Sequence, residues 1–182
     1  MPPEASRPKV YIAGPDVFFP DIAVRAAAQK ALCASLGLEA LHPVDQPTLT
    51  AQRIYENNIA LLRAADGVVA NLDPFRGAEV DSGTAFEVGF AIALGKPVVG
   101  YVSSDQRVVD RVGVRCGPLT RDAAGLWRDR DGNLVEDFGL PANLMLAVPA
   151  PIVVGSFEPA LRQLKRILAG PAAAHSPFAA GQ

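Results

Sequence analysis

Short apolar runs alternate with helical stretches along this chain, and that alternation constrains the fold more than any other feature. Val10-Tyr11-Ile12-Ala13, Leu38 to Leu41, Gly67 to Leu72 and Pro97 to Val102 each read as a buried strand. Between them, Ile22 to Leu36 is Ala-rich with helical spacing and stops at Gly37. Thr50 is a fitting N-cap for a helix through Ala65, with Ile54, Ile59, Leu61 and Leu62 as its apolar stripe. Ser82 is the expected cap of a helix from Gly83 to Leu94. Strand–helix alternation of this kind predicts a parallel sheet with helices on both faces. Strands apolar on both sides are what a doubly covered sheet requires.

The rest of the chain is less regular. From Ser103 to Gly139 the pattern dissolves into charge and glycine, and an irregular surface excursion or lid is expected over 103–140. Asn143 to Val148 suits a short helix, Ile152-Val153-Val154 a fifth strand, and Phe157 to Leu168 a closing helix. One domain over 9–169 is expected, with a flexible N-terminus, 1–8, and a disordered Ala/Pro/Gly tail, 170–182.

Composition removes several classes of function. Seventeen Lys and Arg against 19 Asp and Glu give a net charge of −2, no footprint for a nucleic-acid backbone. No apolar run approaches a membrane span, and the N-terminus has no signal-peptide core. Only Cys33 and Cys116 are present, which points to a reducing cytoplasm rather than a disulfide framework. His42 and His175 are the only histidines, too few for a His-based zinc site or a Ser-His-Asp triad. Neither a Gly-x-Gly-x-x-Gly after the first strand nor a P-loop occurs. Glu79 and Asp81 are potential Mg²⁺ ligands, but paired acids in a loop are more often solvated, so no metal is expected. Carboxylates remain as the main groups for chemistry.

They concentrate between Asn71 and Gly89, a strand end, polar loop and helix start. Ligands of open α/β sheets bind beside such loops. Glu87 falls near the helix start, where helix-end potential favours an ionised carboxylate, and Phe86, Val88 and Phe90 around it should be packing. An ionised Glu against an apolar wall is a usable nucleophile. On spacing alone, an ordinary surface glutamate is the commoner outcome. Tyr11 alters that weighing: it ends a central strand, its ring reaches the same sheet edge, and its hydroxyl suits orienting a carboxylate as well as packing in the core. Phe18 and Phe19, in the loop after strand one, read equally as an aromatic wall for a flat base or as a plug over the sheet edge.

These residues resemble the nucleoside 2-deoxyribosyltransferases. The similarity runs from Lys9 to about Leu168 and rests on Tyr11-Ile12-Ala13-Gly14-Pro15, on Asp81-x-Gly-Thr-Ala-Phe-Glu87-Val-Gly, and on Pro141-x-Asn143-Leu-Met145. It is greatest to the branch with the Asp-Pro-Phe-Arg-Gly loop, Asp73 to Gly77. The resemblance implies a flavodoxin-like three-layer α/β sandwich with a five-stranded parallel sheet. It implies transfer of 2-deoxyribose between nucleobases, with 2′-deoxynucleosides and free nucleobases as substrates and no metal or organic cofactor. By the same resemblance Glu87 is the nucleophile on C1′, Tyr11 positions it, and Asp81 holds a sugar hydroxyl. Gln46 looks like a base-recognition position, and Gly14 is expected at the substrate together with Phe18 and Phe19 if these form the aromatic wall. Asn143 and Met145 complete a neighbouring subunit's site, which implies a homo-oligomer.

Two departures from the family pattern stand out. Asn58 occupies a position where several members carry an Asp thought to protonate the leaving base, and an amide has no titrating proton. The Ala/Pro tail differs from members whose chain end reaches the site. Two other functions fit the same fold. A related group hydrolyses 2′-deoxynucleoside 5′-monophosphates, but Asp81 would repel a phosphate dianion. A non-catalytic nucleotide-binding module would have no need of a carboxylate aimed at C1′.

Overall fold

The computed structural model describes residues 7–45 and 50–170. Gln46 and the 171–182 tail lie outside the described residues. Five parallel strands form one sheet: β1 (Lys9–Ala13), β2 (Glu39–Leu41), β3 (Gly67–Asn71), β4 (Val98–Val102) and, last in the chain, β7 (Ile152–Val154). Their order across the sheet is β2-β1-β3-β4-β7. Helices α1 (Ile22–Ser35), α2 (Ala51–Ala64), α3 (Ser82–Ala93) and α6 (Phe157–Leu168) cover its two faces. This is the flavodoxin-like sandwich.

Period-two alternation sorts the strand side chains into two cores. Tyr11, Ala13, Val68 and Ala70 face one layer, where they meet Leu62 of α2 and Val88 and Ala91 of α3. Val10, Ile12, Val69, Val99 and Tyr101 face the other, against Cys33 of α1 and Leu161 and Leu164 of α6. Val10, Tyr11, Val68, Val69 and Val99 are wholly buried. Tyr11 therefore points toward α3 rather than α1, which brings it within reach of Glu87.

Local signals place the helix ends. After α1, Gly37 adopts φ 75, and Leu38 N donates to Cys33 O at 2.9 Å. Only glycine enters that left-handed turn without steric cost, and the turn satisfies carbonyls that the helix end leaves free. Thr50 caps α2, its hydroxyl accepting from Arg53 N at 3.3 Å. At α3 the cap is Asp81 and not Ser82: Asp81 has non-helical backbone, φ −54 and ψ 132, and Ser82 is already helical. Asp81 Oδ2 accepts from Thr84 N at 2.9 Å. An ionised carboxylate is a stronger partner for the positive helix end than a hydroxyl.

The excursion is more ordered than its composition suggests. It holds α4 (Val108–Arg115) and a hairpin of β5 (Thr120–Arg121) and β6 (Trp127–Arg128). The buried Arg111 of α4 donates to the backbone carbonyls of Ala78, Gln106 and Pro141. Arg115 donates to Gly77 O at 2.7 Å. The excursion thus packs on the loop that leads into α3. The helix over the Asn143 region is α5 (Leu144–Ala147), with Asn143 as its N-cap. No helix among the described residues is long and apolar enough to cross a membrane.

Candidate active site

The strand order changes direction between β1 and β3, and α/β sheets bind ligands at such a point. A cleft of about 590 Å³ opens there. Glu87, Asp81, Thr84 and Asn58 supply its polar side chains; Val17, Phe18, Ile22, Pro43, Val44 and Ile54 supply an apolar wall, and Gly14 and Gly83 complete it. A concave site with few polar groups on an apolar lining is the usual form of a small-molecule site.

Glu87 projects from the second turn of α3, beyond the free N–H groups of the helix start. The Tyr11 hydroxyl donates to its Oε1 at 2.6 Å. Asn58 Nδ2 stands 3.5 Å from the same oxygen. Oε2 has no hydrogen-bond partner among the described residues, and it is the oxygen left for a ligand. Burial pushes the Glu87 carboxyl up to about 7, the charge of Asp81 pushes it further, and the Tyr11 hydrogen bond opposes both. Tyr11 is pushed upward by its own burial and then by Glu87, so its hydroxyl stays a donor. The expectation of a carboxylate ionised by helix-end potential is corrected here: the end of α3 is taken by Asp81, and desolvation governs Glu87.

Asp81 has two tasks. Its Oδ2 caps α3 through Thr84 N and also accepts from Thr84 Oγ1 at 3.0 Å. The same side chain lines the cleft. Gly14 follows β1 and lies against the end of β3: a Cβ there would come 2.9 Å from Asn71 Cβ.

The aromatic residues divide. Phe18 lines the cleft and stacks on Phe75, ring centroids 5.3 Å apart. The Arg76 guanidinium covers both rings at 4.8 and 4.7 Å. Phe19 is outside the lining, edge-on to Phe75 and under the Arg25 guanidinium at 4.9 Å. Phe86, expected in the packing, is 50% exposed and stacks between Phe90 and Tyr55 on the outer surface of α2 and α3.

Asn143 and Met145 do not line the Glu87 cleft of their own chain. Asn143 Nδ2 donates to Glu136 Oε2 at 3.1 Å, and Met145 is 71% exposed. No residue of the 103–140 excursion lines the cleft either. Thr84 and the wall residues Val17, Ile22, Pro43, Val44 and Ile54 were not visible as site residues in the sequence. Thr84 had a signal, its place three residues after a capping acid; the wall residues had none.

Comparison with known proteins identifies the family and the fold. The family model described as nucleoside 2-deoxyribosyltransferase matches residues 10–145. An uncharacterised protein of Schizosaccharomyces pombe is 31% identical over 157 residues, covering 76% of this chain and 74% of its own. Among solved structures, a 2-desoxiribosyltransferase from Leishmania mexicana is 36% identical with a TM-score of 0.73, covering 87% of this chain and 97% of that one. A conserved protein from Enterococcus faecalis, 21% identical with a TM-score of 0.57, covers 88% of this chain and 99% of its own and shares the fold.

Proposed function

Since the chain belongs to the nucleoside 2-deoxyribosyltransferase family, we propose that it exchanges the base of a 2′-deoxynucleoside through a covalent deoxyribosyl ester on Glu87. The observation that carries this reading is the Tyr11–Glu87 hydrogen bond of 2.6 Å to a carboxylate that lines the cleft. Tyr11 fixes Oε1 and leaves Oε2 to attack. In the first half-reaction Oε2 bonds to C1′ as the C1′–N bond breaks, and the electron pair leaves with the base nitrogen. In the second, an incoming base nitrogen bonds to C1′ as the Oε2–C1′ bond breaks, the carboxylate departs with the electron pair, and the base's N–H proton is released to solvent. Two displacements at one carbon give net retention and ping-pong kinetics.

The surroundings support each step. The oxocarbenium-like transition state gains from the nearby carboxylates, and a sugar without a 2′-hydroxyl forms such a cation more readily. The apolar wall from Val17 to Ile54 suits the flat face of a base and keeps water away from the ester. Asp81, on the lining of the cleft, suits a sugar hydroxyl. Asn58 donates a hydrogen bond but no titrating proton, so the leaving base takes its proton from elsewhere. Asn143 and Met145, absent from the lining of their own cleft, are in keeping with a homo-oligomer in which they complete a neighbour's site. The unpaired Cys33 and Cys116 are in keeping with the cytoplasm.

Incubation with deoxyinosine and adenine tests the reading, with deoxyadenosine the expected product. Failure to exchange any base pair in a folded protein would sink it. Preferential hydrolysis of deoxyinosine monophosphate would point instead to a nucleotide N-glycosidase.

A further inference from the structure

Outside the cleft lies a chain of buried polar side chains that the chemistry above does not use. Asp16, Gln29, His42 and Asn71 are 5%, 8%, 2% and 7% exposed. Asp16 Oδ2 accepts from Gln29 Nε2 at 3.0 Å, and its Oδ1 accepts from Asn71 Nδ2 at 3.3 Å. Gln29 Oε1 faces His42 Nε2 at 3.1 Å. On the far side of the ring, Val44 N donates to His42 Nδ1 at 3.3 Å.

Only one arrangement of protons satisfies the whole chain. Both Asp16 oxygens accept, so Gln29 must present its amide nitrogen to Asp16 and its oxygen to His42. His42 must then donate from Nε2, which leaves Nδ1 to accept from Val44. A ring with hydrogen on both nitrogens would meet the Val44 N–H donor to donor. Burial holds His42 below its ordinary value, against the charges of Asp45 and Asp16 and with that of Lys30. A complete buried network of this kind is rigid, and a broken one is costly.

Its anchors are not arbitrary. His42 follows β2, Asp16 follows β1 and Asn71 ends β3, three neighbouring strands. Gln29 comes from α1. Next to Asp16 in the chain are Val17 and Phe18, and next to His42 are Pro43 and Val44. These four form much of the apolar wall. The ladder of β1 and β2 ends at Tyr11 and Leu41; beyond it the network links the two turns through their side chains, beside an ion pair from Lys30 of α1 to Asp45.

We propose that His42, Gln29 and Asp16 are positioning residues that hold the two turns of the cleft's apolar wall in register, with His42 as the Nε2–H tautomer. This rests on the reading of the cleft as the deoxyribosyl-transfer site. Neither His42 nor Gln29 lines the cleft, so both act through the wall.

Methyl NMR with Gln29→Leu tests the coupling without recourse to activity. Loss of the amide should move the methyl resonances of both Val44 and Val17; an unmoved Val17 in the folded variant overturns the proposal. In the deoxyinosine–adenine exchange, Gln29→Leu and His42→Phe should raise KM about tenfold, ~1.4 kcal/mol, with kcat within about threefold. His42→Gln, which keeps a donor near the Nε2 position, should recover most of the loss. A fall in kcat with unchanged KM, or no recovery, overturns the positioning role. If the unaltered protein shows no exchange, the transferase reading fails while the Val17 methyl result still decides the coupling. Should Gln29→Leu not fold, the ring ¹⁵N shifts of His42 in the unaltered protein decide: the Nε2–H tautomer supports the network and the Nδ1–H tautomer overturns it.

Discussion

The Tyr11 hydroxyl meets Glu87 Oε1 at 2.6 Å across 76 residues of chain. The contact exists because Tyr11 lies on the strand face that packs α3. It sets one carboxylate oxygen and leaves the other unpartnered. It also opposes the effect of burial on the acid it touches, and the balance leaves Glu87 at about 7. The properties of this pair lead to the first two predictions.

Glu87→Gln should lower base exchange by several powers of ten, as loss of a nucleophile does. The same change should stabilise the fold in mild alkali. An acid whose folded pKa is raised contributes stability that is complete below its unfolded value, 4.5, and lost as pH rises through about 7. Removing the ionisation should therefore raise stability at pH 8 by ~1–3 kcal/mol. Thermal melts of both proteins at pH 5 and pH 8 give the comparison, and equal differences at the two values would refute it.

Tyr11→Phe should shift the rate profile. Attack needs ionised Glu87, so kcat/KM of the unaltered protein should rise with pH through about 7. Without the hydroxyl, burial and Asp81 act unopposed. The inflection should move up by roughly one unit, the size of a hydrogen bond to a charged group, and the rate at pH 7 should fall at least about fivefold through the lost ionisation alone. A profile that keeps its inflection would remove Tyr11 from the control of Glu87.

Asp81 variants can separate its two tasks. Asp81→Ala removes the cap of α3, worth ~1 kcal/mol, or a Tm drop of roughly 2–4 °C in a chain of this size. Asp81→Ser retains a capping oxygen and should recover most of that Tm. Exchange activity should stay low in both, since neither keeps the carboxylate at the sugar. Recovery of activity with Tm in Asp81→Ser would leave Asp81 a cap and nothing more.

Gly14→Ala tests a spatial requirement. Gly14 has φ 160 and ψ 166, extended backbone open to any residue. The obstacle is Asn71, whose Cβ would stand 2.9 Å from the added methyl. Overpacking of that order costs about 1–3 kcal/mol. Denaturant unfolding should show it, and a change under 0.5 kcal/mol, against the ~1–3 expected, would mean that the two strand ends part easily.

The fold was legible because its strands are short, apolar and punctuated by glycine. Gly37 and the run from Gly67 to Asn71 announced themselves by composition. The helix α4 did not, since its valines sit among Asp110, Arg111 and Arg115, and charge concealed the spacing. The Tyr11–Glu87 pair was legible through chain order and motif. The wall was not: Val17, Val44 and Ile54 come from turns and a helix start, where neighbours in space are remote in sequence. Phe86 misled for a related reason, because an aromatic in an apolar helix gives no sign of which side lacks a partner.

Arg111 has a genetic consequence. Its three partners, Ala78, Gln106 and Pro141, contribute main-chain oxygens and not side chains. A salt bridge lost by mutation of one partner is open to repair by mutation of the other. Here the acceptors are present whatever residues stand at 78, 106 and 141, so no exchange at those positions restores what Arg111 supplies. A screen for second-site revertants of Arg111→Ala should return changes elsewhere in the molecule, and reversion to arginine should be the commonest escape.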